Sequence, residues 1–287
     1  MSIFKFPILF LGFAVILLVS CEKTDYLNID AGDRPVLSAK VKFINARQSA
    51  IPVNFWDFTR KVTTTALPGN TASPYLDTQY GKVQFNLTEG TETFYKASYT
   101  FGGSANFIQE TNSASFASPN GPIADFAHSL FSVKKRSVST LNPNNIDSLI
   151  LVYDDLSLPA SGRAKIRFAN FSADAPKVDL AYATGEPIFS AVSYGNFGDQ
   201  TVINYTAGKA PLVIDGLSWK TLGPFKEINA GSNINLLVKD AVTKATIPLT
   251  DNLLSNFSFA AGKIYTIYIN GLVGGGQPVM ATVITHN

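Results

Sequence analysis

Two stretches of this chain repeat one another residue for residue. Ala39-Lys40-Val41-Lys42-Phe43-Ile44-Asn45 matches Ala164-Lys165-Ile166-Arg167-Phe168-Ala169-Asn170, and at the same spacing Val53-Asn54-Phe55 matches Val178-Asp179-Leu180. Further on the spacing shortens slightly, pairing Tyr75 with Tyr194 and Thr88-Glu89-Gly90 with Thr206-Ala207-Gly208. Near the end of each copy, the stretch from Ser148 to Tyr153 pairs with the stretch from Lys263 to Tyr268. Self-similarity kept in order along a chain marks a duplicated folding unit. Within each unit apolar residues alternate with polar ones at period two, Val41 and Phe43 against Lys40 and Lys42, then Ile166 and Phe168 against Lys165 and Arg167. That is the period of a β-strand.

Short strands separated by Gly, Pro, Asn and Asp spell a sandwich. The expected fold class is all-β, with two tandem immunoglobulin-like or transthyretin-like β-sandwich domains. Copy one covers residues 39–160 and copy two covers 161–287, joined at the turn-rich Pro159-Ala160-Ser161-Gly162. The run Gly271-x-x-Gly274-Gly275-Gly276 precedes a strand rather than a helix, so it predicts a hairpin turn and not a phosphate cradle. One stretch departs from period two. Ile123, Phe126, Ala127, Leu130 and Phe131 recur at helical spacing, which predicts a short helix or an extended loop peculiar to copy one, the alternative being a strand from Leu130 to Thr140.

Upstream of the repeat, Lys5 precedes an apolar run from Phe6 to Val19 that ends in Ser20 and Cys21, the chain's single cysteine. As a helix rising about 1.5 Å per residue, this run is too short for the ~30 Å hydrocarbon core of a bilayer. It reads as a signal peptide over residues 1–20. Leu18-Val19-Ser20-Cys21 resembles the lipobox at which lipoprotein precursors are cut and acylated, which makes Cys21 the lipidation site and the membrane a partner through that anchor. Residues 21–38 are then the lipidated cysteine and a polar tether. Glu22-Lys23-Thr24-Asp25 looks like the lipoprotein export signals of the Bacteroidota. The expected location is the cell envelope, lipid-anchored to the outer membrane on its periplasmic or its cell-surface face.

Ile166-Arg167-Phe168-Ala169-Asn170-Phe171-Ser172-Ala173-Asp174-Ala175-Pro176-Lys177-Val178-Asp179-Leu180 resembles the opening of the bacterial family catalogued as domain of unknown function 4397, DUF4397. Tyr194-Gly195 and Ala207-Gly208-Lys209 match its later elements. Copy one departs from the pattern, with Ser49 and Ile51 at the places of Asp174 and Pro176. The resemblance implies an exported immunoglobulin-like sandwich and no activity. Asp174, Pro176 and Asp179 are expected to shape the turn between two strands, because Asp caps nearby backbone and Pro fixes φ.

Composition removes several classes. Charged residues are 15% of the 287 and the net charge is +2, so nothing builds the basic stripe that nucleic acid requires. One cysteine permits no disulfide within the chain, and with two histidines it provides no zinc set. Asp154-Asp155, Asp174, Asp179 and Asp251-Asn252 lack the ladder of a calcium loop and read as turn caps. No metal and no cofactor is expected. Of the two imidazoles, His286 is penultimate and expected to fray, and His128 falls in the irregular stretch, so no catalytic residue is assigned. Asp147-Ser148-Leu149 resembles an O-glycosylation acceptor, against the plainer reading that Ser148 opens a strand.

Aromatic residues are 12% of the chain. Trp56, Tyr75, Tyr194 and Trp219 are candidates for a flat platform that stacks on sugar rings, with core filling as the alternative. The expectation is a non-catalytic binding or adhesion module for a glycan or another envelope protein. The rivals are a fimbrial or surface-assembly subunit and, further off, a hydrolase.

Overall fold

In the computed structural model, residues 37–101, 121–136, 140, 146–198 and 225–287 are described. Cys21, Trp219 and the Ala207-Gly208-Lys209 element lie outside them. Every regular element among the described residues is a strand. The first repeat supplies β1 (Ala39–Asn45), β2 (Val53–Asp57), β3 (Arg60–Lys61), β4 (Thr71–Thr78), β5 (Val83–Glu89), β6 (Ala97–Phe101), β7 (Ala127–Lys134) and β8 (Asp147–Tyr153). The second supplies β9 (Arg163–Ser172), β10 (Val178–Tyr182), β11 (Pro187–Val192), β12 (Lys226–Asn229), β13 (Gly231–Ile234), β14 (Leu236–Asp240), β15 (Phe257–Phe259), β16 (Ile264–Gly271) and β17 (Met280–Thr285).

These strands form sheets of order β3-β2-β5-β6, β4-β1-β7-β8, β12-β9-β16-β17 and β11-β10-β14, with β13 and β15 paired separately. The three apolar clusters show how the sheets stack. Val41, Phe43, Phe55, Phe85, Leu130 and Leu151 fill the space between the first two sheets. Ile166, Phe168, Leu180, Phe189, Val238 and Ile267 fill the space between the last two. A third cluster joins the sandwiches, with Ile44, Phe131, Val133 and Ile150 from one and Ala169, Phe171, Phe197 and Tyr268 from the other. Leu37–Asn287 is accordingly one compact unit of four principal layers, each packed as sheets pack face to face.

The two inner sheets share one topology. β1 runs parallel to β7 with Phe43 opposite Leu130, and β9 runs parallel to β16 with Phe168 opposite Ile267. β8 and β17 complete the sheets in antiparallel pairing. The structural counterpart of β16 is therefore β7, not β8 as the Ser148–Tyr153 pairing predicts. The helix or loop expected around Ile123–Phe131 is likewise replaced by β7. Leu130 faces one core while Phe131 and Val133 face the other, and a strand buried on both faces loses its period-two signature.

The repeated asparagine closes the same corner in each copy. Asn45 Nδ2 donates to Leu67 O at 3.0 Å, and Asn170 Nδ2 donates to Val192 O at 3.2 Å, each side chain being fully buried. Both satisfy a carbonyl of the chain as it leaves the next strands, which is the ordinary way buried polar groups are accommodated.

Candidate functional site

The residue types that could perform chemistry are concentrated where the two inner sheets face each other. Arg167 on β9 sends Nη2 to Asp154 Oδ1 at 2.8 Å, both side chains at 0% exposure. Asp154 Oδ2 accepts from Ser129 Oγ at 2.6 Å and from Tyr75 OH at 2.8 Å. Tyr75 OH lies 2.7 Å from His286 Nδ1, Thr266 Oγ1 lies 2.8 Å from His286 Nε2, and Arg167 Nε donates to Thr266 Oγ1 at 3.1 Å. One proton assignment serves every one of these contacts. Thr266 donates to Nε2, His286 donates from Nδ1 to the Tyr75 oxygen, and Tyr75 donates to Asp154. His286 is then neutral.

The electrostatics agree. Burial pushes the His286 imidazole down to about 4, outweighing the attraction of Asp154. Burial acts on Asp154 in the opposite sense, but Arg167 and the hydroxyls of Ser129 and Tyr75 hold its carboxyl below the usual carboxylate range. Burial and the Asp154 charge raise the Tyr75 hydroxyl far above the usual range. His128 is also buried, and burial lowers it to about 4. The expectation of a frayed His286 is overturned, because its N–H donates to Ile264 O at 2.9 Å and its ring is enclosed.

This seam has the symmetry of the repeat. In the parallel pairs Lys42 stands beside Ser129 and Arg167 beside Thr266. Asp154 N–H donates to Ala127 O as His286 N–H donates to Ile264 O, both at 2.9 Å. Lys42 Nζ sits 4.8 Å over the Tyr75 ring, and the Arg167 guanidinium 4.4 Å over Phe225. The place of Tyr75 beside Lys42 is thus held by Phe225 beside Arg167, not by Tyr194. Equivalent positions meet about an approximate two-fold, as at an isologous dimer interface, and have diverged into one tight ion pair.

Among the described residues, an opening suited to a ligand lies at one end of the two inner sheets, a cavity of about 320 Å³. Its walls come from the β1–β2 connection, the start of β8, the end of β9 and the β16–β17 hairpin. Arg47, 6% exposed, anchors it, with Nη1 2.5 Å from Asp147 Oδ2, Nη2 2.7 Å from Glu89 Oε1 and Nε donating to Asn45 Oδ1 at 3.3 Å. Burial raises the Asp147 carboxyl despite Arg47. Across the rim, Gln48 Nε2 donates to Pro278 O at 2.9 Å and Asn270 Oδ1 at 3.2 Å, and Gln277 Nε2 returns to Gln48 O at 2.9 Å. Gly271, at φ +101°, permits this closure, since a Cβ there would meet Gln48 Nε2 at 2.7 Å and Pro278 O at 2.5 Å.

The aromatic candidates are not brought together. Trp56 is half-buried on β2, its Nε1 donating to Thr88 Oγ1 at 3.1 Å and its ring 6.4 Å from that of Tyr95. Tyr75 belongs to the seam, and Tyr194 is 4% exposed in the middle cluster, with no ring face open to a sugar. Asp174 is exposed and accepts from the Val273 and Gly274 amides at 2.7 and 2.9 Å, pinning the glycine hairpin rather than a neighbouring turn. These amides hold its carboxyl low against the effect of burial. Pro176 is exposed in the turn before β10. Asp179 is buried, accepting from the Ala191 amide and Lys244 Nζ, both at 2.8 Å. Asp251 accepts from the Leu253 and Ala281 amides. Ser148 is 3% exposed within β8, so it offers no hydroxyl for glycosylation. Arg47, Asp147 and the Gln48–Gln277 clasp were not legible in the sequence, since their partners are a hundred residues apart or in the other repeat.

No family model and no curated protein matches the chain. Among solved structures it is similar to the C-terminal domain of AlgF from P. aeruginosa, at 19% identity over 44% of this chain and 99% of that chain, with a TM-score of 0.27. It is also similar to a candidate cell adhesion protein from Bacteroides uniformis, at 12% identity over 87% and 99% with a TM-score of 0.21. A second candidate cell adhesion protein, from Bacteroides eggerthii, gives 12% identity over 88% and 97%, again with a TM-score of 0.21. Superpositions this loose carry no argument, and the resemblance to DUF4397 stands on its residues alone.

Two outcomes follow for the seam. Arg167→Met leaves a buried carboxylate unpaired and should destabilise the fold by about 3–5 kcal/mol, most of it recovered when Asp154→Leu is added; denaturant midpoints measure both, and equal losses in the single and double variants would contradict the pairing. Acidification acts through the imidazoles. Their folded values near 4 lie below the unfolded 6.5, so between these pH values the unfolded chain binds more protons. Stability is full above pH 6.5 and falls toward pH 4, by up to about 1.4 kcal/mol per pH unit for each imidazole. His286→Gln should flatten that decline in urea titrations run from pH 7.5 to 4.5.

Proposed function

We propose that the chain is a lipoprotein of the bacterial cell envelope, anchored through Cys21, whose two tandem sandwiches over residues 39–160 and 161–287 form a non-catalytic binding or adhesion module. The observation that carries this reading is the division of labour between the seam and the cavity. The His286 imidazole, the Asp154 carboxylate and the hydroxyls nearest them are spent on one another inside the protein, and the His128 ring is buried apart from the cavity. The carboxylates at the cavity, Asp147 and Glu89, are each paired with Arg47, so neither stands free as a general base. The cavity, by contrast, is open, lined by apolar as well as polar groups and held in shape by contacts from both repeats, which is how a preorganised binding site is built.

The ligand class in this reading is a glycan or another envelope protein, and the membrane is reached through the acylated cysteine, two acyl chains sufficing for stable anchorage. Cells grown with an alkyne fatty-acid analogue should incorporate it into the wild-type chain and not into Cys21→Ser. An unlabelled wild type would end the anchor assignment. The soluble part, residues 22–287, should retain ligand on a glycan array or capture an envelope protein from extract, and silence in both assays would end the binding assignment.

A further inference from the structure

The outer sheet of the first sandwich, β3-β2-β5-β6, carries polar residues and unbalanced charge on its solvent side. Phe55, Phe85 and Leu87 point into the core, so the alternate positions of β2 and β5 face outward. Directly opposed residues share a face. One row across the sheet is therefore Lys61, Trp56, Asn86 and Ser98, with Gln84 and Thr100 as the next pair. Gln84 Nε2 donates to Asn86 Oδ1 at 3.0 Å and to Ser98 Oγ at 2.8 Å, and Ser98 Oγ donates to Asn86 Oδ1 at 2.6 Å, which fixes these side chains in place. Beside them stands Tyr95, from the β5–β6 connection and 42% exposed. Its ring lies 6.4 Å from that of Trp56, and its hydroxyl donates at 3.3 Å to Phe58 O, which also accepts from Asn86 Nδ2.

The charges on this sheet do not cancel. Asp57 holds Arg60 at 3.1 Å, Glu89 holds Arg47 at 2.7 Å and Glu92 holds Lys96 at 3.2 Å, which accounts for every carboxylate of the sheet and of its β2–β3 and β5–β6 connections. Lys61 and Lys82 are left over. Both are exposed, and neither enters an ion pair among the described residues. Lys61 lies in the row of Trp56, and Lys82 immediately precedes β5, close in the chain to Gln84. With a strand rise of about 3.3 Å and a strand spacing of about 4.8 Å they stand roughly 16 Å apart, a span for several linked rings and not for one. A partner suited to this face is anionic at intervals, offers ring faces to Tyr95 and brings hydroxyls to Gln84 and Ser98. The amides and hydroxyls between the lysines favour sugar over the acyl surface of a membrane, and two lysines are too few for the phosphates of a nucleic acid. We propose that this face, resting on the reading of the chain as a binding module, holds a strand of acidic polysaccharide, with its sugar rings against Tyr95 and its carboxylates at Lys61 and Lys82.

Titration calorimetry and saturation-transfer NMR on residues 22–287 test this with hexamers of galacturonate and of glucuronate, and with the galacturonate hexamer methyl-esterified so that its carboxylates are neutral. An acidic hexamer should bind, its ester should bind at least about tenfold more weakly, and the affinity should fall as salt is raised. Lys61→Ala combined with Lys82→Ala should weaken binding about tenfold at an unchanged melting temperature, since both side chains are exposed and unpaired. Tyr95→Ala should weaken it likewise, and Tyr95→Phe, which keeps the ring, should restore it. Absence of binding by both acidic hexamers overturns the proposal, as does equal binding of the ester or binding indifferent to the two lysines. Equal affinity for a single-stranded oligonucleotide of the same charge also overturns it, and so does tighter binding to phosphatidylglycerol vesicles lost with the same lysines, which would make the face a membrane contact. A neutral glycan or an envelope protein retained in place of the acidic chain overturns the acidic-polysaccharide assignment and leaves the binding module standing, whereas silence on the array and in extract removes the module itself.

Discussion

A guanidinium and a carboxylate with no access to water must be placed against each other, and the Arg167–Asp154 pair does this between two sheets that the repeat makes alike. Taking either ion out of water alone costs several kcal/mol, so the pair forms only when the inner sheets are in register. Ser129, Tyr75, Thr266 and His286 complete it, and each needs the others to avoid an unfilled valence. Such a network selects one arrangement among the many that two greasy sheet faces would tolerate. Lys42, Ser129 and Asp154 are related to Arg167, Thr266 and His286 by an approximate two-fold. The two faces are now asymmetric, with Lys42, Ser129 and Asp154 on one meeting Arg167, Thr266 and His286 on the other.

Rigid placement of the inner sheets also creates the cavity. Its walls belong to both repeats, so it exists only while the sandwiches stay stacked. Arg47 and Asp147 hold one wall through a buried ion pair, and Gln48 reaches the β16–β17 hairpin across the space that Gly271 leaves free. Asp174 steadies that hairpin from below. Asp174, within the stretch that resembles DUF4397, therefore serves the shape of that hairpin.

Particular residues show where reading the chain succeeds and where it fails. The alternation in β1 and β9 is plain because each strand carries polar side chains on one face. Lys42 and Arg167 look like solvent-facing residues by that alternation, yet they are 8% and 0% exposed. Period two separates the faces of a strand and says nothing of what lies opposite. β7 escapes for the complementary reason, since cores on both sides remove the alternation. With β7 obscured, β8 takes its place in the comparison of the repeats, and the pairing slips by one strand.

The sequence by itself determined that the chain is built from β-strands, that its two repeats open on matching strands, and that one asparagine recurs at the end of each of them. Those properties are local, written in side-chain period and in matching words. Which face is buried, which imidazole is sealed and which oxygens line an opening were decided only by the stacking of the sheets. Arg47 meets Asp147, and Gln48 meets Gln277, across a span of chain that no local pattern records.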